Sequence, residues 1–255
     1  MAENINGPLV QLNIDNGIVT VAISAPPVNA LSRQVVSELR KNFADLSEAP
    51  IKAIILTGQG ERCFCAGADI RGLADNSAEE NRAFFAELYG LLSLVENINC
   101  PVIAAVNGYA IGAGLELALC ADIRVMDERA QMAMTGANLG LVFCTQRLSR
   151  LVGSGRCKEL IFTARRVGAA EASQLGLVEY VIPAGQVLDK AWQLAQTIAQ
   201  KAPAAVLRAK QAINAGLNMT LDRGLFLEFE YLAELLDTED FHRRVDGFLK
   251  RGIYS

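Results

Sequence analysis

At 255 residues, 51% of them hydrophobic and 20% charged, the chain is long enough to bury a large core and too apolar to stay disordered. A net charge of −4 without any long basic run excludes nucleic acid as an expected partner. The stretch from Met1 to Pro8 lacks the basic and apolar regions of a signal peptide, and no apolar run approaches the roughly 20 residues that cross a bilayer. A soluble, cytoplasmic protein with no membrane partner is the expectation.

In chain order, Val10, Leu12 and Ile14 alternate with polar residues, and Gly17 turns the chain into Ile18–Ile23. This predicts a hairpin with one wetter and one drier strand, ended by Pro26-Pro27. Leu31, Val35, Leu39, Phe43 and Leu46 recur at helical spacing, with Ser32 placed to cap. Ile51–Thr57 reads as a buried strand, Ser77–Asn97 as a helix, Val102–Val106 as a strand, Leu115–Ala121 as a helix and Ile123–Met126 as a strand. Two helices follow over Arg156–Ala164 and Gly168–Leu175, then a short extended piece at Val178–Ile182. The alternation predicts an α/β fold. Beyond Pro183 the pattern turns helical, over Gln186–Lys201, Pro203–Gly216, Leu221–Leu236 and Glu239–Lys250. Residues 1–185 are therefore expected to form the core, and 186–255 a helical region of the same domain that packs against neighbours.

The six cysteines stand in apolar surroundings without a C-x-x-C, which predicts buried, reduced thiols. His242 is the single histidine and no G-x-S-x-G occurs, so a nucleophilic triad is not expected. No P-loop or dinucleotide fingerprint is present. Asp122 and Asp127 read as solvated or capping carboxylates, not metal ligands.

The stretch Asn107–Asp122 carries the functional signal. An apolar strand runs through Gly108, Gly112 and Gly114 into a helix whose first turn holds Glu116. Such a turn leaves backbone N–H groups without partners at the positive end of a helix, next to a carboxylate. Ala66-Gly-Ala-Asp69 forms a second turn of small residues after a buried strand. Amides from the two turns could converge on one oxyanion. Spacing alone fits ordinary βα turns, packed with small residues, at least as well.

Taken together, Pro27-Val-Asn-Ala-Leu31, Cys65-Ala-Gly-Ala-Asp-Ile-Arg71 and Asn107-Gly-Tyr-Ala-Ile-Gly-Ala-Gly-Leu-Glu-Leu-Ala118 resemble the crotonase superfamily, the enoyl-CoA hydratase/isomerase group. The likeness continues through Asn138-Leu-Gly140, Thr145-Gln-Arg-Leu148, Glu171-Ala-x-x-Leu-Gly-Leu-Val178 and Phe248-Leu-Lys250, so it spans nearly the whole chain. It implies a spiral of ββα units with a C-terminal helical region that forms homotrimers or hexamers (dimers of trimers). It implies an acyl-CoA substrate of fatty acid metabolism, with no separate cofactor and no metal. The thioester oxygen would sit between the amides of Ala68 and Ala113, beside Glu116 as acid/base. The CoA and substrate path would involve Pro26, Pro27, Val28, Ala30, Ala66, Gly67, Ala68, Asp69, Ile70, Arg71, Gly112 and Gly136. Arg71 either meets a CoA phosphate or is a solvated surface arginine. The acyl tail is expected along the Leu73–Leu92 segment.

The resemblance breaks at one wall. Hydratases of the group carry a second glutamate four residues before the glycine of Asn138-Leu-Gly140, and that position here is Gly136. Between Gly140 and Thr145 the chain is also about three residues shorter than relatives with a P-G-x-G-G loop. The resemblance still implies 2-enoyl-CoA hydratase first. A single-carboxylate enzyme, such as a (methyl)malonyl-CoA decarboxylase or an enoyl-CoA isomerase, and a non-catalytic acyl-CoA-binding homologue remain as alternatives.

Overall fold

A computed structural model describes residues 8–250; the start of the segment read above for a signal peptide and the last five residues lie outside the described residues. The elements in order are β1 (Val10–Asp15), β2 (Ile18–Ile23), α1 (Arg33–Ser47), β3 (Ala53–Gly58), β4 (Cys63–Cys65), α2 (Ile70–Asp75) and α3 (Ala78–Asn97). Then come β5 (Val102–Val106), β6 (Tyr109–Ile111), α4 (Ala113–Leu119), β7 (Ile123–Asp127) and β8 (Gln131–Ala133). A 3₁₀ turn over Gly136–Leu139 leads to α5 (Thr145–Val152), α6 (Ser154–Thr163), β9 (Arg166–Gly168), α7 (Ala169–Gln174) and β10 (Tyr180–Ile182). The chain ends in α8 (Val187–Ala199), α9 (Pro203–Gly216), α10 (Leu221–Leu236) and α11 (Glu239–Lys250).

The α/β class holds. A six-stranded sheet runs in the order β1-β2-β3-β5-β7-β10, antiparallel only at the β1–β2 hairpin. The hairpin is divided as expected: five of the six β1 residues are exposed, while β2 is almost wholly buried. Val19, Val21, Ile54, Leu56, Val102 and Ala104 face the core shared with Leu39 and Phe43 of α1 and Leu88 and Leu92 of α3. Each such fully buried large side chain contributes about 1.5–3 kcal/mol relative to an exposed one. The starts of α1 and α3 are fixed by side chains: Ser32 Oγ accepts from Val35 N–H, and Ser77 with Glu80 forms a reciprocal capping box.

A second sheet, β4-β6-β8-β9, was not expected. Its strands are three residues each, too short to show alternation. Helix α5 was also missed, and α4 begins two residues before the expected Leu115. The reason is packing: Gly114 lies where a Cβ would stand 2.1 Å from the Cys65 carbonyl oxygen, so a poor helix former occupies the second position of a helix. All six thiols are free and buried.

The chain forms two compact units, one through Thr197 and one from Ile198. In the second, α9 starts on Pro203 and an Arg208–Glu234 ion pair at 2.5 Å ties α9 to α10. None of the α10 residues is buried, and Leu221, Leu225, Phe229 and Leu232 all lie more than half exposed. No helix among the described residues is long and apolar enough to cross a membrane.

Candidate active site

Backbone contacts bring the predicted segments together. Asn29, buried with φ 53°, donates from Nδ2 to the Cys63 carbonyl at 2.7 Å and the Gln59 carbonyl at 3.1 Å, pinning the Pro26–Ala30 loop. Ala66 N–H donates to Val28 O, Leu31 N–H to Gly67 O, and Asp69 N–H to Leu31 O. Pro26, Pro27, Val28 and Ala30 thus run alongside Ala66–Asp69. Asp69 caps α2 by accepting from Arg71 N–H at 3.1 Å, and Ile70 and Arg71 are exposed at the outer end of this strip.

The two glycine turns meet. A Cβ on Gly67 (φ 92°) would lie 2.6 Å from Ile111 O and 3.2 Å from Ala113 N, so only glycine admits this approach. Gly112 N–H is used by Ala133 O at 2.8 Å. The neighbouring amides of Ala68 and Ala113 find no acceptor among the described residues. Both residues, with Ala66, Gly67 and Gly112, line a cavity of about 300 Å³. Leu73, Phe85, Tyr89, Gly136 and Phe143 line it too, with the Phe143 ring packed against those of Phe85 and Tyr89.

Glu116 lies one turn into α4 and is 2% exposed; it is not among the residues that line the cavity. Helical side chains lean toward the helix N-terminus, which directs this carboxylate back toward the Ala113 turn. Its Oε1 accepts from Arg147 Nη1 at 2.8 Å, and its Oε2 is buried without a partner. Arg147 also forks onto Glu96, with Nε–Oε1 at 3.1 Å and Nη2–Oε2 at 2.7 Å. Burial works to lower the Arg147 pKa, but hydrogen bonds to Glu96 and Glu116 and the neighbouring charge carry it above its ordinary value. The Cys144 thiol is pushed well up, first by burial and then by the nearby Glu116 charge.

The Arg147 clamp escaped sequence reasoning. The Thr145–Leu148 motif was visible, but nothing in its spacing ties Arg147 to residues 31 and 51 positions away. Gly136 stands where the missing acid was expected, and a Cβ there would lie 2.8 Å from Leu141 O. Asp122 and Asp127 serve the backbone: Asp122 Oδ2 accepts from Val102 N–H at 2.7 Å, and Asp127 accepts from Arg129 and Gly185 N–H at 2.9 Å each.

Comparisons with known proteins agree with one another. A family model described as enoyl-CoA hydratase/isomerase matches residues 13–253. The short-chain-enoyl-CoA hydratase of Clostridium acetobutylicum is 36% identical over 95% of each chain. The crotonyl-CoA hydratase of Syntrophomonas wolfei is 35% identical over 88% of each. A crystal structure of an enoyl-CoA hydratase from Bacillus anthracis superposes with a TM-score of 0.93 at 36% identity, covering 95% of this chain and 96% of that one.

Proposed function

Because this chain belongs to the enoyl-CoA hydratase/isomerase family, we infer that it adds water across the double bond of a 2-enoyl-CoA. The observation that carries the chemistry is Glu116: one oxygen held by Arg147, the other buried and unpartnered, one helical turn from the Ala113 amide. In this reading the thioester carbonyl lodges between the Ala68 and Ala113 amides, which take up charge as the π electrons of the double bond move toward it. The oxygen of water bonds to the β-carbon. Glu116 Oε2 receives a proton from that water and returns a proton to the α-carbon as the enolate collapses, serving as base and then acid. CoA is the substrate carrier and no metal or redox group takes part. Its path follows Pro26–Ala30 and Ala66–Arg71, with Arg71 free to meet a phosphate.

Crotonyl-CoA hydration, followed by loss of the conjugated thioester absorbance, tests this reading. Glu116→Gln should lower kcat by about 10²–10⁴, the usual cost of losing a general acid/base. Gly136 favours a second reading, in which a single carboxylate serves decarboxylation or isomerisation of an acyl-CoA. Absence of hydration, with CO₂ released from methylmalonyl-CoA or a double bond migrating in 3-enoyl-CoA, would select it. Binding of acyl-CoA with neither reaction, and no effect of Glu116→Gln, would mark a binding protein.

We also propose that the chain assembles as a homotrimer, alone or paired into a hexamer, in the cytoplasm. The support is the apolar stripe of α10, which carries no buried residue. With a chain of 27.4 kDa, light scattering should return three or six times that mass.

A further inference from the structure

Hydration needs a water held by two groups, and Glu116 offers one free oxygen. The usual second acid is absent, and its place is closed by backbone, since a Cβ on Gly136 would lie 2.8 Å from Leu141 O. Among the described residues, only two polar side chains line the cavity, those of Tyr89 and Thr135. Thr135 Oγ1 sits 3.2 Å from where a Cβ on Gly112 would stand, against the turn assigned to the carbonyl.

Tyr89 approaches from α3. It lies seven residues before Glu96, two helical turns along the same face, and Glu96 is the residue that forks onto Arg147. Helical spacing thus puts Tyr89 on the same stripe of α3 as Glu96, the residue that holds Arg147. Its ring is set against Phe143, with centroids 5.3 Å apart and planes at 57°, and Phe143 stands in turn 6.1 Å from Phe85. The phenol feels the charges of both Glu116 and Arg147: partial burial first, and then Glu116, raise its pKa against a lowering by Arg147, while the residue as a whole stays 47% exposed.

We propose that the Tyr89 hydroxyl is the second hydrogen-bonding partner of the attacking water, taking the role that a second carboxylate has in two-acid hydratases. This inference rests on the hydratase reading. The phenol oxygen accepts one water O–H while Glu116 Oε2 accepts the other, which leaves a lone pair of the water facing the β-carbon. As the C–O bond forms, the π pair moves to the thioester as enolate. The proton bound for the α-carbon passes only through Glu116, and Tyr89 begins and ends the cycle neutral.

Tyr89→Phe keeps the ring against Phe143 and removes only the hydroxyl. We expect kcat for crotonyl-CoA hydration to fall about tenfold to a hundredfold, the effect of one hydrogen-bonding group, with KM within about twofold. Exchange of the α-protons of butyryl-CoA in deuterated water needs the enolate and Glu116 but no added water. It should survive Tyr89→Phe and be lost in Glu116→Gln. A hydration kcat within twofold of wild type in Tyr89→Phe, an equal loss of exchange, or a silent Tyr89→Phe beside a damaging Thr135→Val would each overturn the proposal. A wild-type protein that exchanges α-protons but never hydrates would instead sink the hydratase reading and this inference with it, whereas intact hydration in Tyr89→Phe sinks the inference alone.

Discussion

Arg147 joins two carboxylates that would otherwise repel each other, and its guanidinium geometry explains why one side chain suffices. Nε and Nη2 form the fork onto Glu96 and leave Nη1 for Glu116. A lysine would carry the charge but not three fixed donors. Arg147→Leu leaves Glu116 buried and uncompensated, and breaking a buried pair costs roughly 3–5 kcal/mol. The Arg147 side chain is 20% exposed, which puts the expected loss at the lower end of that range. Denaturant unfolding should show it. Arg147→Lys should retain more stability than Arg147→Leu while kcat stays depressed, because Glu116 is neutralised without being oriented. Equal stability in Arg147→Leu and wild type would mean that the clamp does not hold Glu116 in solution.

At the scale of elements, the missing glutamate and the shortened loop are one change. Leu141 N–H donates to Gly136 O at 2.9 Å, so the strip after Gly140 doubles back onto the 3₁₀ turn and fills the space of a side chain at 136. Gly136→Glu should therefore destabilise by about 1–3 kcal/mol through overpacking and bring no gain in hydration. The same substitution combined with three residues inserted between Gly140 and Thr145 should relieve the clash. Thermal unfolding and crotonyl-CoA turnover of both variants check this; a gain in hydration from Gly136→Glu alone would refute the coupling. This wall also marks how far the sequence could be read. Both departures were visible as gaps in a motif, but their shared cause is a tertiary approach that no local pattern encodes. The long helices α1 and α3 were legible because periodicity and caps agree over many residues, and β5 because it is an unbroken apolar run of five. The three-residue strands β4, β6 and β8 were not, although they position Ala68 and Ala113: their register comes from backbone pairing alone.

For the whole molecule, the six thiols offer a measure of how completely the core is sealed. Their burial was readable from apolar flanks, whereas their chemical environment was not, since Cys144 meets Glu116 only through the fold. Burial holds the Cys63 thiol up to about 11, against a slight lowering by Arg62, and the Cys65 thiol up to about 12. Burial likewise raises Cys120, Cys144 and Cys157. Unfolded thiols lose their protons near pH 9, so between about pH 9 and 11 the native state binds more protons than the unfolded one. Stability contributed by these groups is fully present below pH 9 and declines as pH rises through the folded values. Urea midpoints should accordingly fall between pH 8 and 10.5, in a range where the carboxylates no longer titrate. Replacing Cys65 with Ala should flatten that decline, as one buried proton-holding group is removed, though the small cavity lowers stability at every pH. In the native protein at pH 8 a thiol-specific reagent should react slowly at all six positions and rapidly once urea is added. Fast native labelling of several thiols, or a urea midpoint that rises above pH 9, would show that the thiols are less sealed than their burial requires.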